Sequence, residues 1–210
     1  MIKDKSTLKD YLACDIQNYK QVAQPDSLRE WFSCRLLSSP IGDQTKIWDF
    51  IKTLRKCEYW GNTFNSNPFR FLLGGGGIYL FYLHKLRRLS RITGFQIPPN
   101  TVGKGLTIWH WGFIIINPYV RIGDYCTLQP GVVIGHKEEG AGAPQIGNHV
   151  TIGSGARIIG NIKIGDDVNI APNAVVVHDV PSHSIVAGIP ARIIKQRTKL
   201  NANWEKYSSL

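Results

Sequence analysis

Residues 146–176 read IGNHVTIGSGARIIGNIKIGDDVNIAPNAVV, and Ile146, Ile152, Ile158, Ile164, Ile170 and Val176 mark a six-residue period. The period runs back through Ile134, Leu128 and Ile122. After a two-residue slip it continues through Val120, Ile114 and Ile108. A small residue often follows the aliphatic one, as in Ile134-Gly135, Ile152-Gly153 and Ile170-Ala171. A fixed internal repeat outranks other sequence signals.

Six residues match neither the 3.6-residue face of a helix nor the two-residue alternation of a strand. They suit one short strand and a tight turn. Three such units close a triangular coil of about 18 residues, and stacked coils build a parallel β-helix. Face A then carries Ile108, Leu128, Ile152 and Ile170. Face B carries Ile114, Ile134, Ile158 and Val176. Face C carries Val120 or Ile122, Ile146 and Ile164. The stretch between Ile134 and Ile146 is too long for one turn, so residues 136–145 (HKEEGAGAPQ) are expected to leave the coil as a flap. Loops on a rigid scaffold commonly carry function. The turns after face A would stack His110, Pro130, Ser154 and Pro172 in one column, the expected ligand groove.

The chain is 210 residues long, with formal net charge +10 and pI about 9.6. Its expected architecture is mostly β with a helical front: an α-helical domain at 1–95, the β-helix at 96–195, and a tail at 196–210. The basic residues gather loosely at 85–91 and 192–199, and no nucleic-acid motif accompanies them, so nucleic acid is not expected as a partner. Cys14, Cys34, Cys57 and Cys126 share no CxxC spacing. They fit reduced thiols and no zinc knuckle. The start lacks a signal-peptide core, and the weakly polar run at 71–83 is too short to span a bilayer. A cytoplasmic protein is expected.

Four helices are expected in the front. The first lies within 1–24, capped by Ser6 or Thr7. The second runs from about 25 to 37 and ends at the 38–42 break. The third covers 43–59, with Ile47, Phe50, Ile51 and Leu54 inward, before a loop at 61–68. The glycine run at 74–77 should interrupt the next segment, leaving a helix at 78–92 ended by Gly94. That helix has aromatic residues Tyr79, Phe81 and Tyr82 and basic residues Lys85, Arg87, Arg88 and Arg91. It reads as a core helix with cations at its C-terminal end, or as a peripheral contact with a membrane surface.

Among the histidines, His84, His149, His178 and His183 occupy positions typical of surface residues. His136 opens the flap, where it could touch substrate. His110 stands on the turn after face A between Trp109 and Trp111. A neutral imidazole there can serve as general base, and the indoles can wall off a flat ligand.

Several segments resemble the serine acetyltransferase family of hexapeptide-repeat acyltransferases. They are the Ile97-Pro98-Pro99 lead-in, GLTIWHWG at 105–112, the flap after Gly135 closing on APQIG at 143–147, and VAGIPAR at 186–192. The resemblance covers residues 97–195. It implies a left-handed parallel β-helix, a homotrimer that could pair through its helical front, acetyl-CoA as co-substrate, no metal, and His110 as catalytic base. Acetyl-CoA would follow the groove between subunits. Ser154 and Pro172 would lie along its pantetheine arm, Arg192 and Lys195 near its phosphates, and the Gly135 backbone beside the oxyanion.

The chain departs from that family where the acceptor binds. Trp109 stands where an aspartate precedes the catalytic histidine, and Gly142-Ala143 replace the arginine-histidine pair of the flap. Lost charges and added aromatic surface suit a sugar hydroxyl, with Trp109, Trp111 and His136 as its contacts. The short helical front resembles the branch associated with surface-polysaccharide biosynthesis. Serine O-acetylation is the alternative. A non-catalytic trimeric binding module and a zinc carbonic anhydrase are the other classes considered.

Overall fold

The computed structural model describes residues 1–20, 44–66, 75–138 and 140–196. The helix expected at 25–37, the break at 38–42, Cys34, Gly74 and the tail beyond residue 196 lie outside these. Helix α1 (Lys5–Asp15) is extended by a 3₁₀ turn (Ile16–Tyr19). Its cap is Asp4 rather than Ser6 or Thr7, because the Asp4 carboxylate accepts the Thr7 N–H at 2.8 Å. A carboxylate at this end also meets the positive end of the helix dipole.

Helix α2 (Gln44–Ser66) runs past Tyr59, where a loop was expected. Packing overrides the weak propensity of Gly61. A Cβ at Gly61 would lie 3.3 Å from the Tyr79 ring, so glycine lets the next helix come close. That helix, α3 (Gly76–Thr93), starts inside the glycine run rather than after it, with Gly75 as its N-cap. Gly94 ends it at φ 80, its N–H bonded to the Ser90 carbonyl, as expected. Ile47, Phe50, Ile51 and Leu54 are buried, also as expected.

The remainder is a left-handed parallel β-helix with three sheets, one per face. On face A the register runs Ile108, Leu128, Ile152, Ile170, Val186. On face C it runs Ile122, Ile146, Ile164. On face B, Ile116 rather than Ile114 pairs with Ile134, followed by Ile158 and Val176. Ile114 pairs with Phe95 instead. The two-residue slip therefore lies in the turn at 109–113 and not at Val120. Ile114 and Ile116 both point inward, so the period alone could have been phased on either one.

Side chains from the helical front satisfy the open edge of the first coil. The Tyr19 hydroxyl accepts the Ile108 N–H at 2.7 Å and donates to the Ile108 carbonyl at 2.9 Å. Asp15 accepts the Leu106 N–H at 2.9 Å, and Glu58 accepts the Asn100 N–H at 2.8 Å. Arg55 donates to the carbonyls of Val102 and Gly103. An unpaired strand edge would otherwise be a template for association. Arg55, Asp15 and Glu58 are all buried, and Arg55 ion-pairs with Asp15 at 2.7 Å and Glu58 at 3.1 Å. Burial works against the Arg55 charge, but the two carboxylates more than offset it, so the guanidinium stays protonated.

At the corner between faces C and A, a polar ladder ties the coils together. Asp124 accepts the Lys104 N–H, Asn148 that of Asp124, Asp166 that of Asn148, and Ser182 that of Asp166. His149 stacks on Tyr125 here, with ring centroids 5.1 Å apart, and His183 lies 3.3 Å from Asp167.

Cys126 lies buried beneath this ladder. Burial pushes its thiol up to about 11, and the Cys57 thiol likewise to about 11. An unfolded thiol ionises near 8.5, so above that pH the unfolded chain holds fewer protons than the folded one. This stability contribution is complete below about pH 8.5 and lost as the pH rises through 11. Melting temperatures measured across this window should fall with pH, and Cys126→Ala should flatten the slope. An unchanged slope would mean that the thiol ionises normally in the fold.

Candidate active site at two corners of the prism

The turn from face A to face B spans eight residues from Ile108 to Ile116 in the first coil. The equivalent steps in the next three coils, from Leu128, Ile152 and Ile170, span six. The two extra residues fall in the segment Trp109-His110-Trp111-Gly112-Phe113. His110 is exposed on this bulge, and Trp109 and Trp111 are 41% and 38% exposed beside it.

The expected column is altered at its first member. Pro130–Gly131, Ser154–Gly155 and Pro172–Asn173 do stack: Gly155 N–H meets the Pro130 carbonyl and Asn173 N–H the Ser154 carbonyl. In the first coil, however, Gly131 N–H meets the carbonyl of Phe113. A Cβ on Gly112 would lie 2.8 Å from the Pro130 Cβ. Gly112 thus sits against Pro130, and His110 is carried outward from the column.

Gly112 has φ +138, in the region that favours glycine. Gly112→Ala adds backbone strain and a steric clash, expected to cost about 1–3 kcal/mol. Gly140→Ala is the control, because that flap residue also has positive φ (+80) but has nothing within 4 Å of an added Cβ. Thermal unfolding should separate the two, with Gly112→Ala the less stable. Equal melting temperatures would argue against close stacking of this turn on Pro130.

Exposed Ser154 and Pro172 continue the corner. Arg192 and Lys195 lie exposed on the strand Ala191–Gln196, antiparallel to Ser184–Gly188 at the far end of face A. Five strand spacings of about 4.8 Å put that strand roughly 24 Å from the His110 layer.

Gly135 and His136 occupy the next corner, across face B from His110. Gly135 pairs with Ile159 in the sheet, and its carbonyl accepts the Gly160 N–H at 3.0 Å. His136 Nδ1 lies 2.9 Å from Asn117 Nδ2. The chain leaves the coil at His136 as expected but rejoins it before Gln145, which pairs with Arg121 and Lys163 in face C, and the described residues of this flap border a cavity of about 690 Å³. Tyr119, His136, Gln145 and Asn161 line it, with Gly140, Gly142 and Ala143 of the flap. Within one chain the His110 corner and the flap corner do not meet. A site using both would have to form between two copies. His149 lies at the third corner. Among the described residues, no group of three or more His, Cys, Asp or Glu side chains is arranged to hold a metal ion.

Sequence reasoning missed Asn117. Its signal is the Asn117-Pro118-Tyr119 step directly after face B, one coil before the flap opens. Among the described residues no helix is long and apolar enough to cross a membrane.

Residues 143–178 match the family model described as bacterial transferase hexapeptide (six repeats). A serine acetyltransferase of Staphylococcus aureus (strain Mu50) is 44% identical over 115 residues, 53% of this chain and 54% of that protein. The chain spans about half the length of the curated relatives it matches. A solved serine acetyltransferase from Brucella abortus strain S19 superposes with a TM-score of 0.66 at 28% identity, covering 92% of this chain and 71% of that one. The same enzyme in complex with coenzyme A gives 0.64 at 27% identity, with 92% and 70% covered. The resemblance to serine acetyltransferases therefore holds in sequence over about half of the chain and in fold over about nine-tenths of it.

Proposed function

Starting from a hexapeptide-repeat chain that resembles the serine acetyltransferases, we propose that it is an acetyl-CoA-dependent O-acetyltransferase with His110 as general base. One observation carries this reading: the bulged turn holds an exposed histidine between two indoles, on a scaffold that superposes on a coenzyme A-bound serine acetyltransferase. His110 removes the proton of the acceptor hydroxyl as its oxygen attacks the thioester carbonyl. The new C–O bond forms, the C–S bond breaks, and the coenzyme A thiolate leaves and is protonated. The tetrahedral oxyanion needs a backbone donor, and Gly135 of a neighbouring copy is the candidate. Direct transfer is the reading taken: no sequence motif pairs a Cys or Ser with a base, and among the described residues burial holds the Cys57 and Cys126 thiols protonated. Ser154 and Pro172 border the path of the pantetheine arm, and Arg192 and Lys195 lie where its phosphates would end. The assembly is a homotrimer, as the likeness implies.

Serine is the acceptor that the relatives favour, since those compared above are serine acetyltransferases. A sugar hydroxyl, expected from the sequence, is the second reading, and the site itself supports it. Trp109 precedes the base, buried Ala143 stands in the flap, and the described residues that line the flap cavity offer hydrogen-bonding groups without Asp, Glu, Lys or Arg. Surface-polysaccharide synthesis is one setting for that reaction.

Release of coenzyme A thiol, measured with serine and a panel of sugars side by side, tests both readings. Turnover on serine alone supports the first and discards the second. Turnover on sugars alone does the reverse. Coenzyme A binding without turnover on any acceptor would reduce the chain to a binding module.

A further inference from the structure

We propose that His136 is a hydrogen-bond donor to the acceptor, fixed in that role by Asn117, and that the cavity under the flap takes an uncharged, hydroxyl-rich molecule. This rests on the O-acetyltransferase reading and narrows its acceptor to the polyol class, of which sugars are the obvious members.

The tautomer of His136 follows from the bonds around it. The backbone N–H of Tyr119 lies 3.0 Å from Asn117 Oδ1. A backbone N–H can only donate, so this side of the Asn117 amide must be its oxygen. The amide nitrogen then faces His136 Nδ1 at 2.9 Å and must donate to it. Nδ1 is an acceptor, so in the neutral ring the proton sits on Nε2. Because Nδ1 is engaged, Nε2–H is the ring edge left to a ligand in the cavity that His136 lines. Asn117 is the positioning residue and His136 the one that touches the acceptor.

The rest of the cavity points the same way. Among the described residues, no Asp, Glu, Lys or Arg lines it. A free amino acid would bring an ammonium and a carboxylate, each costly to bury without a partner. Sugar hydroxyls both donate and accept, and they match the amides of Gln145 and Asn161 and the imidazole N–H. Tyr119, 70% exposed at the rim, offers an aromatic face to the C–H side of a ring.

Asn117→Asp tests this with little change in shape. Its carboxylate still takes the Tyr119 N–H but must accept from His136, which drives the imidazole proton to Nδ1. In full-length protein, side-chain ¹⁵N correlation spectra should show the Nε2–H tautomer in the wild type and the Nδ1–H form in Asn117→Asp. A wild-type Nδ1–H signal would overturn the proposal. In the thiol-release assay, Asn117→Asp and His136→Phe should raise the acceptor KM roughly tenfold, the value of about one hydrogen bond. The acetyl-CoA KM should not change, and His136→Gln, whose amide N–H can stand in for Nε2–H, should recover most of the loss. An acceptor KM unaffected by Asn117→Asp and His136→Phe, or serine as the preferred acceptor, would overturn it. If the wild type consumes no acceptor, the transferase reading fails, and titration with methyl glucoside followed at the His136 Nε2–H signal decides the cavity alone. A shift that saturates with methyl glucoside supports the proposal, and an unmoved signal overturns it.

Discussion

His110→Ala lowers kcat by about 10²–10⁴-fold, the usual contribution of a general base, while the acetyl-CoA KM stays near its wild-type value. Removing the imidazole takes away a group that acts as the proton leaves the acceptor, and so acts in the transition state more than in either bound complex. The fold should not respond. His110 is exposed on the bulge, while the core around it is built from buried Ile108, Ile114 and Leu128. Circular dichroism and melting temperature serve as the control, and thiol release gives the rate. Near-normal turnover in a folded variant would remove His110 from the mechanism and direct attention to His136, which lines the cavity at the flap.

Arg55→Met produces the largest loss of stability, about 3–5 kcal/mol, because it leaves two buried carboxylates without their cation. Asp15 and Glu58 would face each other in an apolar interior, and the carbonyls of Val102 and Gly103 would lose their donor. Burial already pushes the Glu58 carboxyl upward, against the pull of Arg55 and the Asn100 N–H, and without Arg55 it would rise further. Thermal unfolding measures the loss. Adding Asp15→Asn and Glu58→Gln to Arg55→Met should recover part of it, since the neutral amides no longer need a counter-charge. A single variant as stable as wild type would show that the cluster does not hold the helical front on the coil edge. Because that front covers the edge, light scattering on Arg55→Met should also detect association through the exposed strand.

The two effects differ in how visible their residues were. His110 could be picked from its neighbours: an imidazole between two indoles, at a turn of a recognised repeat. The Arg55 cluster could not. Arg55 meets Asp15 across 40 residues and Val102 across 47, and no local pattern encodes such a pairing. It was also invisible in the expected helix at 43–59, where Arg55 reads as one more charge on a surface. Gly61 misled for a related reason. It looked like the start of a loop until Tyr79 of a different helix occupied the space its missing side chain leaves. Asn117 stood beside Pro118 like any turn residue, and only the approach of His136, 19 positions later, gave its amide a function.

Periodicity alone determined the coil, the assignment of Leu128, Ile152 and Ile170 to one face and Ile134, Ile158 and Val176 to another, and the presence of a flap after Gly135, though not its end, since Gln145 is back in the stack. It could do so because each coil pairs in register with the next, so the spacing of buried side chains is itself the geometry. Gly94 as a helix end was equally legible, since that conformation depends on one residue's backbone. Tertiary structure decided where the surplus residues of the first coil go. Ile114, Ile115 and Ile116 allow two phasings, and pairing with Val133 and Ile134 selects the one that bulges the His110 turn. It also decided the charged seal at the coil edge and the tautomer of His136. Each of these depends on hydrogen bonds between atoms far apart in the chain, and a one-dimensional pattern carries no record of which distant partners will meet.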